Sequence, residues 1–246
     1  MTKYHKIFST MIGLGFLVVL QVFSFPQPVF RFLIPVFLLF SFLVLAYNYV
    51  YLKNLDKLNF WVLVRPLMLL FSLFGIFMIL PSPGFRSLFL IAAIVVIILS
   101  EIFLDNFSEQ VLINETLIIL FGLLVSMMAF VQFFPGYRFL AMFGVFLVIA
   151  FSARMFYEFV PTLASSKLIG SLILGLFSAQ FFWGLGFLPF HFSATGLILF
   201  NLVYFSLILN YFYLFKTLNF KRLQFHLLLV VVASGIALAS TPWRII

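Results

Sequence analysis

Pro81-Ser82-Pro83-Gly84-Phe85-Arg86 separates two long apolar runs, and its reading decides the fold. Two prolines and a glycine within four residues break any helix arriving from the preceding run, and Pro83 is suited to opening the next. Related turns recur along the chain. Pro26-Gln27-Pro28-Val29-Phe30-Arg31 precedes this one. Pro135-Gly136-Tyr137-Arg138, Pro189-Phe190-His191-Phe192 and Pro242-Trp243-Arg244 follow it. Their leading prolines are 55, 54, 54 and 53 residues apart. Between them the chain is almost wholly apolar, so it reads as a tandem series of helical hairpins in a membrane.

Composition supports this class and excludes others. The 246 residues are 65% hydrophobic and only 8% charged, and 39 of them are Phe. Apolar runs of about 18 or more residues cross a bilayer core as helices. Backbone polar groups in lipid must be paired internally, which leaves helices or closed barrels. Barrel strands alternate apolar and polar residues; 88–99 does not alternate, so helices are expected. The bilayer is therefore the first partner. The net charge of +8 comes from basic residues scattered singly at helix ends, a topology signal that argues against nucleic acid. With no cysteine, disulfides, thiolate metal sites and thiol catalysis are excluded. No small-x-small cleavage site follows the first apolar run, so it is expected to remain as a helix.

Nine spans are predicted, at roughly 7–25, 32–51, 60–80, 87–104, 112–134, 139–158, 168–188, 195–215 and 224–240, the last being the shortest. The fold class is thus an all-α polytopic transmembrane bundle of eight or nine spans in one domain, 1–246. Nine basic residues flank the amino-terminal side of the spans: Lys3, Lys6, Lys53, Lys57, Arg154, Lys167, Lys216, Lys221 and Arg222. Four, Arg31, Arg86, Arg138 and Arg244, flank the other. The bias places the amino terminus in the cytoplasm and, with nine spans, the carboxyl terminus outside the inner membrane.

Bilayer thickness alone imposes a spacing near 50 residues on paired helices, so regular turns do not establish duplication. Two features favour repeated two-helix hairpins of about 54 residues. The proline-aromatic-basic turn is confined to one side. In addition, Asn48-Tyr49-Val50-Tyr51-Leu52-Lys53 parallels Asn210-Tyr211-Phe212-Tyr213-Leu214 and Lys216. Transporters use such repeats.

Polar residues are few enough to weigh singly. If the fourth helix continues, Glu101, Asp105 and Glu109 fall on one face at i, i+4, i+8. Like charges there repel and need cations; either a metal or the basic hairpin ends would serve, and ion pairs are the expectation. Arg65, followed by Pro66, lies about 7–8 Å inside its span, within reach of a snorkelling side chain. Snorkelling beside a tolerated proline is expected in preference to gating. The central thirds of the spans hold no charge, only neutral groups such as Ser72, Ser178, Gln180 and Asn201, with Asn210 nearer an end. That argues against an ion-coupled carrier with a charged midplane site.

Metalloprotease, nucleophile-elbow and phosphate-loop motifs are absent, so no catalytic residue, cofactor or metal site is assigned and an enzyme is not expected. Ser171, Gly175 and Ala179 form a small-residue stripe for close helix packing, which Trp183 continues. Gln180-Phe181-Phe182-Trp183 and Phe187-Leu188-Pro189, followed by an apolar helix and a basic loop, resemble a poorly characterised family of small multi-pass membrane proteins of bacteria. The resemblance covers about the last third of the chain. It implies a membrane bundle and carries no activity or site residue with it. Two classes of function stand open. One is a small transporter or channel-like protein using Gln180, Asn201 and Asn210. The other is a non-catalytic subunit or scaffold, with a membrane-protein partner or a second copy as its associate.

Overall fold

The computed structural model describes residues 3–24, 30–56, 60–80, 82–104, 109–157, 160, 163–215 and 220–240. Among these residues there are nine α-helices: α1 Lys3–Ser24, α2 Phe30–Asn54, α3 Phe60–Ile79, α4 Pro83–Ile102, α5 Glu109–Phe133, α6 Arg138–Phe156, α7 Ala164–Leu185, α8 Phe192–Leu214 and α9 Phe220–Ser240. A single 3-10 turn, Pro135–Tyr137, leads into α6. The eight helices α2 to α9 are long and apolar enough to cross a membrane. The apolar part of α1 is His5–Gln21, 17 residues. The chain is an all-α, multi-pass membrane protein.

Turn chemistry explains where the helices begin. In the 81–86 turn, Ser82 Oγ accepts from Phe85 N–H and caps α4, while Pro83 occupies the first turn, where its missing N–H costs nothing. Arg86 Nε donates to Leu80 O at 2.9 Å, covering a carbonyl left over beyond the end of α3. The His191 ring caps α8 by accepting from Ser193 N–H. These polar turns hold their backbone groups locally, as a turn at a bilayer surface must.

The chain divides into two compact units, Met1–Val111 and Leu112–Ile246. In the first, α1 packs on α2 and α4, and α3 packs on α2 and α4. A Cβ on Gly13 would lie 2.8 Å from Ile98 Cγ1, so glycine lets α1 close onto α4. Phe37 stacks on Phe74 with ring centres 4.1 Å apart. Along α4, Leu90, Ala93 and Ile97 are buried while Leu88, Ile91, Val95 and Leu99 are exposed. That three-to-four spacing gives one inward and one lipid-facing side.

In the second unit the small-residue stripe does what its spacing predicts. Ser171, Gly175 and Ala179 are buried. A Cβ on Gly175 would stand 2.8 Å from Phe146 O and 3.0 Å from Ala150 Cβ, which fixes the α6–α7 approach. Trp183 does not continue the buried line; it is exposed, and Phe182 takes the inward place. Gly196 of α8 lies against Val125 of α5, with 2.9 Å from its notional Cβ to Val125 Cα. Leu120, Leu124, Val145, Ile149, Leu199 and Val203 fill the space between. Each unit thus closes its first helix onto its fourth through a glycine, which is the pattern a repeated pair of hairpins would have.

Candidate functional site

Several polar residues of the first unit point inward. His5, Asn48, Arg65 and Glu101 are at most 1% exposed. His5 opens α1, Asn48 is in the last two turns of α2, Arg65 is five residues into α3 and Glu101 is next to last in α4. In this antiparallel arrangement all four lie at one end of the unit. Arg65 therefore does not snorkel. Its side chain is fully buried, and it is one of the largest such side chains in the protein. Pro66 beside it deprives the carbonyl of Val62 of its usual helical donor, adding a polar group to the same turn.

Glu101 is where three helices meet. Asn48 Nδ2 donates to Glu101 Oε1 at 3.1 Å, joining α2 to α4. His5 Nε2 lies 2.8 Å from the backbone oxygen of Glu101, joining α1 to α4. A carbonyl only accepts, so Nε2 carries a proton; in the neutral ring Nδ1 then accepts from Tyr47 O–H, 3.2 Å away. The Tyr51 ring is stacked on His5 at 3.8 Å. A histidine and a carboxylate are thus buried together at one end of the unit.

The acidic stretch does not form one face. α4 ends at Ile102, where Phe103 N–H closes back on Leu99 O and Glu101 O, and Glu109 begins a separate helix. Glu101 and Glu109 consequently belong to α4 and α5. Asp105 and the Glu109 side chain lie outside the described residues. Among the described residues no group of three His, Asp or Glu could hold a metal ion.

Gln180, Asn201 and Asn210 do not converge. Gln180 is exposed in a groove of about 210 Å³ with Phe139, Met142 and Trp183. Asn201 is buried and donates to Ser234 Oγ of α9 at 3.0 Å. Asn210 lies beside Tyr157, which follows α6, and borders a groove of about 440 Å³ between α7 and α8. Burial raises the Tyr157 phenol well above its usual range, and the neighbouring Asn210 amide works against that rise. The neutral set therefore ties helices together and does not line one path.

Sequence reasoning assigned no role to His5, to Asn48 or, in the second unit, to Arg138, and Gln132 counted only as a neutral polar group near a span end. One signal was in view: the Asn48 and Asn210 stretches match, and where Asn48 bonds to α4, Asn210 lies beside Tyr157. The carboxyl-side ends of α2, α4, α6 and α8 carry Asn48, Glu101, Arg154 and Asn210, at steps of 53, 53 and 56. Fold and site define a multi-pass helical membrane protein with a buried ionisable cluster. Comparison with protein-family models, with curated proteins and with solved structures finds no match.

Proposed function

We propose that this chain is a small permeation protein of the transporter or channel class, not an enzyme. It would lie in the inner membrane with its amino terminus in the cytoplasm. The carrying observation is Glu101, a carboxylate 1% exposed and tied to two other helices through Asn48 and His5. Ionisable groups inside a membrane bundle are costly and mark ion pathways or switches. Protonating Glu101 weakens a charge-assisted bond that holds α2 to α4, so proton uptake would loosen that end of the unit.

The test is reconstitution into liposomes loaded with a pH-sensitive dye, under an imposed potential. The wild type should carry protons well above empty liposomes. Glu101→Gln should fall toward the empty-liposome rate and melt at a lower temperature while still folding. A wild type no faster than empty liposomes from mildly acidic to neutral pH would remove the reading. Orientation is checked by a single cysteine at Asn54, which an impermeant reagent outside the cell should fail to label.

A second reading, a non-catalytic subunit or scaffold, is favoured by α9. This helix is held to α8 by Asn201–Ser234 and by Tyr204 O–H with His226 Nδ1 at 2.8 Å, and it exposes Leu228, Val231, Val232 and Ile236. A photo-crosslinker at Leu228 that captures one membrane protein in stoichiometric yield from native membranes would favour it. Capture of lipid alone would count against it.

A further inference from the structure

At the end of the second unit opposite Tyr157 lies a cavity of about 160 Å³. Gln132, Arg138, Gly186, Leu188, Phe192 and Thr195 are among the residues that line it. Arg138 Nη2 donates to Gly186 O at 3.2 Å, and its guanidinium carbon sits 4.3 Å from the centre of the Phe187 ring. Its Nε is buried and, among the described residues, has no hydrogen-bond partner. Gln132 Oε1 accepts from Phe192 N–H at 2.9 Å, which fixes the amide and leaves its NH2 group as a donor.

Among the described residues that line the cavity none is acidic. The carboxylates of the second unit are Glu115 and Glu158. Along α5, Glu115 is ~25 Å from Gln132 at ~1.5 Å per residue, and Glu158 lies outside the described residues. α6 and α8 both begin at this end, so their dipoles add positive potential. The first N–H groups of α8 are already bonded, to Gln132 and His191, so a ligand would meet side-chain donors. Next along α6 and α7 is the groove of Phe139, Met142, Gln180 and Trp183, with the Trp183 ring centre 6.0 Å from the Arg138 guanidinium carbon. A charged pocket followed by an apolar groove suits an amphipathic anion.

We propose that this cavity binds a phosphate group through Arg138 and Gln132, supplied by an anionic lipid whose chain lies along the α6–α7 groove. Guanidinium and phosphate are well matched as donor and acceptor. The site is separate from the Glu101 cluster and does not depend on the permeation reading.

The experiment follows the melting temperature of detergent-purified protein during titration with phosphatidic acid, phosphatidylcholine or inorganic phosphate at constant ionic strength. Phosphatidic acid should raise it and phosphatidylcholine should not. Arg138→Gln should weaken the phosphatidic acid response about tenfold or more, the loss of a charge-assisted pair. Arg86→Gln, at the related turn of the first unit, should leave it intact. Because Arg138 also holds the α7–α8 turn, Gln132→Leu supplies a second arm, removing one donor while keeping the cation; it should weaken the response. A matching rise with inorganic phosphate, lost in Arg138→Gln, would keep the phosphate site and assign it to a soluble ligand. Equal shifts with phosphatidylcholine, a full response in Arg138→Gln, or an equal loss in Arg86→Gln would overturn the proposal.

Discussion

The two four-helix arrangements, α1–α4 and α5–α8, share one plan and load it differently. In the first, the end carrying Asn48 buries a cation and an anion, Arg65 and Glu101. In the second, the end carrying Asn210 buries Tyr157 and Glu115, while its cations Arg154 and Lys167 stay partly exposed. The opposite ends reverse the contrast. Arg86 folds back onto Leu80 O, whereas Arg138 reaches across to Gly186 and borders a cavity. A common backbone therefore does not decide where a unit can do chemistry; the end at which charge loses water does.

The largest test of that contrast is Arg65→Leu. Removing one member of a buried charged cluster typically costs about 3–5 kcal/mol, whereas Lys167→Leu, partly exposed, should cost about 1 kcal/mol or less. Unfolding in mild detergent measures both, and equal losses would break the comparison. Next is Gly175→Leu, which forces a side chain into the Phe146 carbonyl and should cost about 1–3 kcal/mol. Gly184→Leu on the same helix, with open space around its Cβ, should stay within about 0.5 kcal/mol. An unchanged melting temperature for Gly175→Leu would mean that α6 and α7 do not pack as described.

The asparagine pair sharpens the comparison further. Asn48→Leu takes a donor from a carboxylate and should cost about 1.5–3 kcal/mol, and Asn210→Leu, beside a neutral phenol, about 0.5–1.5 kcal/mol or less. The reverse order would mean that Glu101 is already neutral. The smallest effect is in pH. Tyr157 is raised by burial, so the folded protein keeps a proton that the unfolded chain loses above pH ~10. Its contribution is complete below that pH and is lost as pH rises further. Tyr157→Phe should flatten the alkaline fall in melting temperature, and identical slopes would discount the phenol.

The turns and the packing stripe were legible because each rests on local chemistry. Proline and glycine at 81–84 and small residues at i, i+4, i+8 in α7 act through their own backbone. Arg65 was misread because position along a helix gives depth, not direction. α3 is apolar nearly all round, so no polar face shows which way a lone arginine turns. The run from Glu101 to Glu109 was legible as polar but not as a helix break, since nothing in it is proline or glycine. His5 and Asn48 become a site only through Glu101, 96 and 53 residues on. The Arg138 cavity likewise needs Gly186, 48 residues further along, and no local pattern announces it.

The burial of Arg65 also bears on biogenesis. A lone arginine near the centre of a span costs about 2.5–3.5 kcal/mol on insertion, less near an end but still unfavourable. α3 alone is thus a poor candidate to leave the translocon for lipid. α4 brings Glu101 to the end of the unit where Arg65 sits, and the connection between α3 and α4 is three uncharged residues, 80–82. Insertion of the two as a hairpin keeps the arginine out of bare hydrocarbon. A nascent chain stopped after α3 would hold Arg65 without α4, leaving it a segment to be retained at the translocon or cleared by membrane quality control.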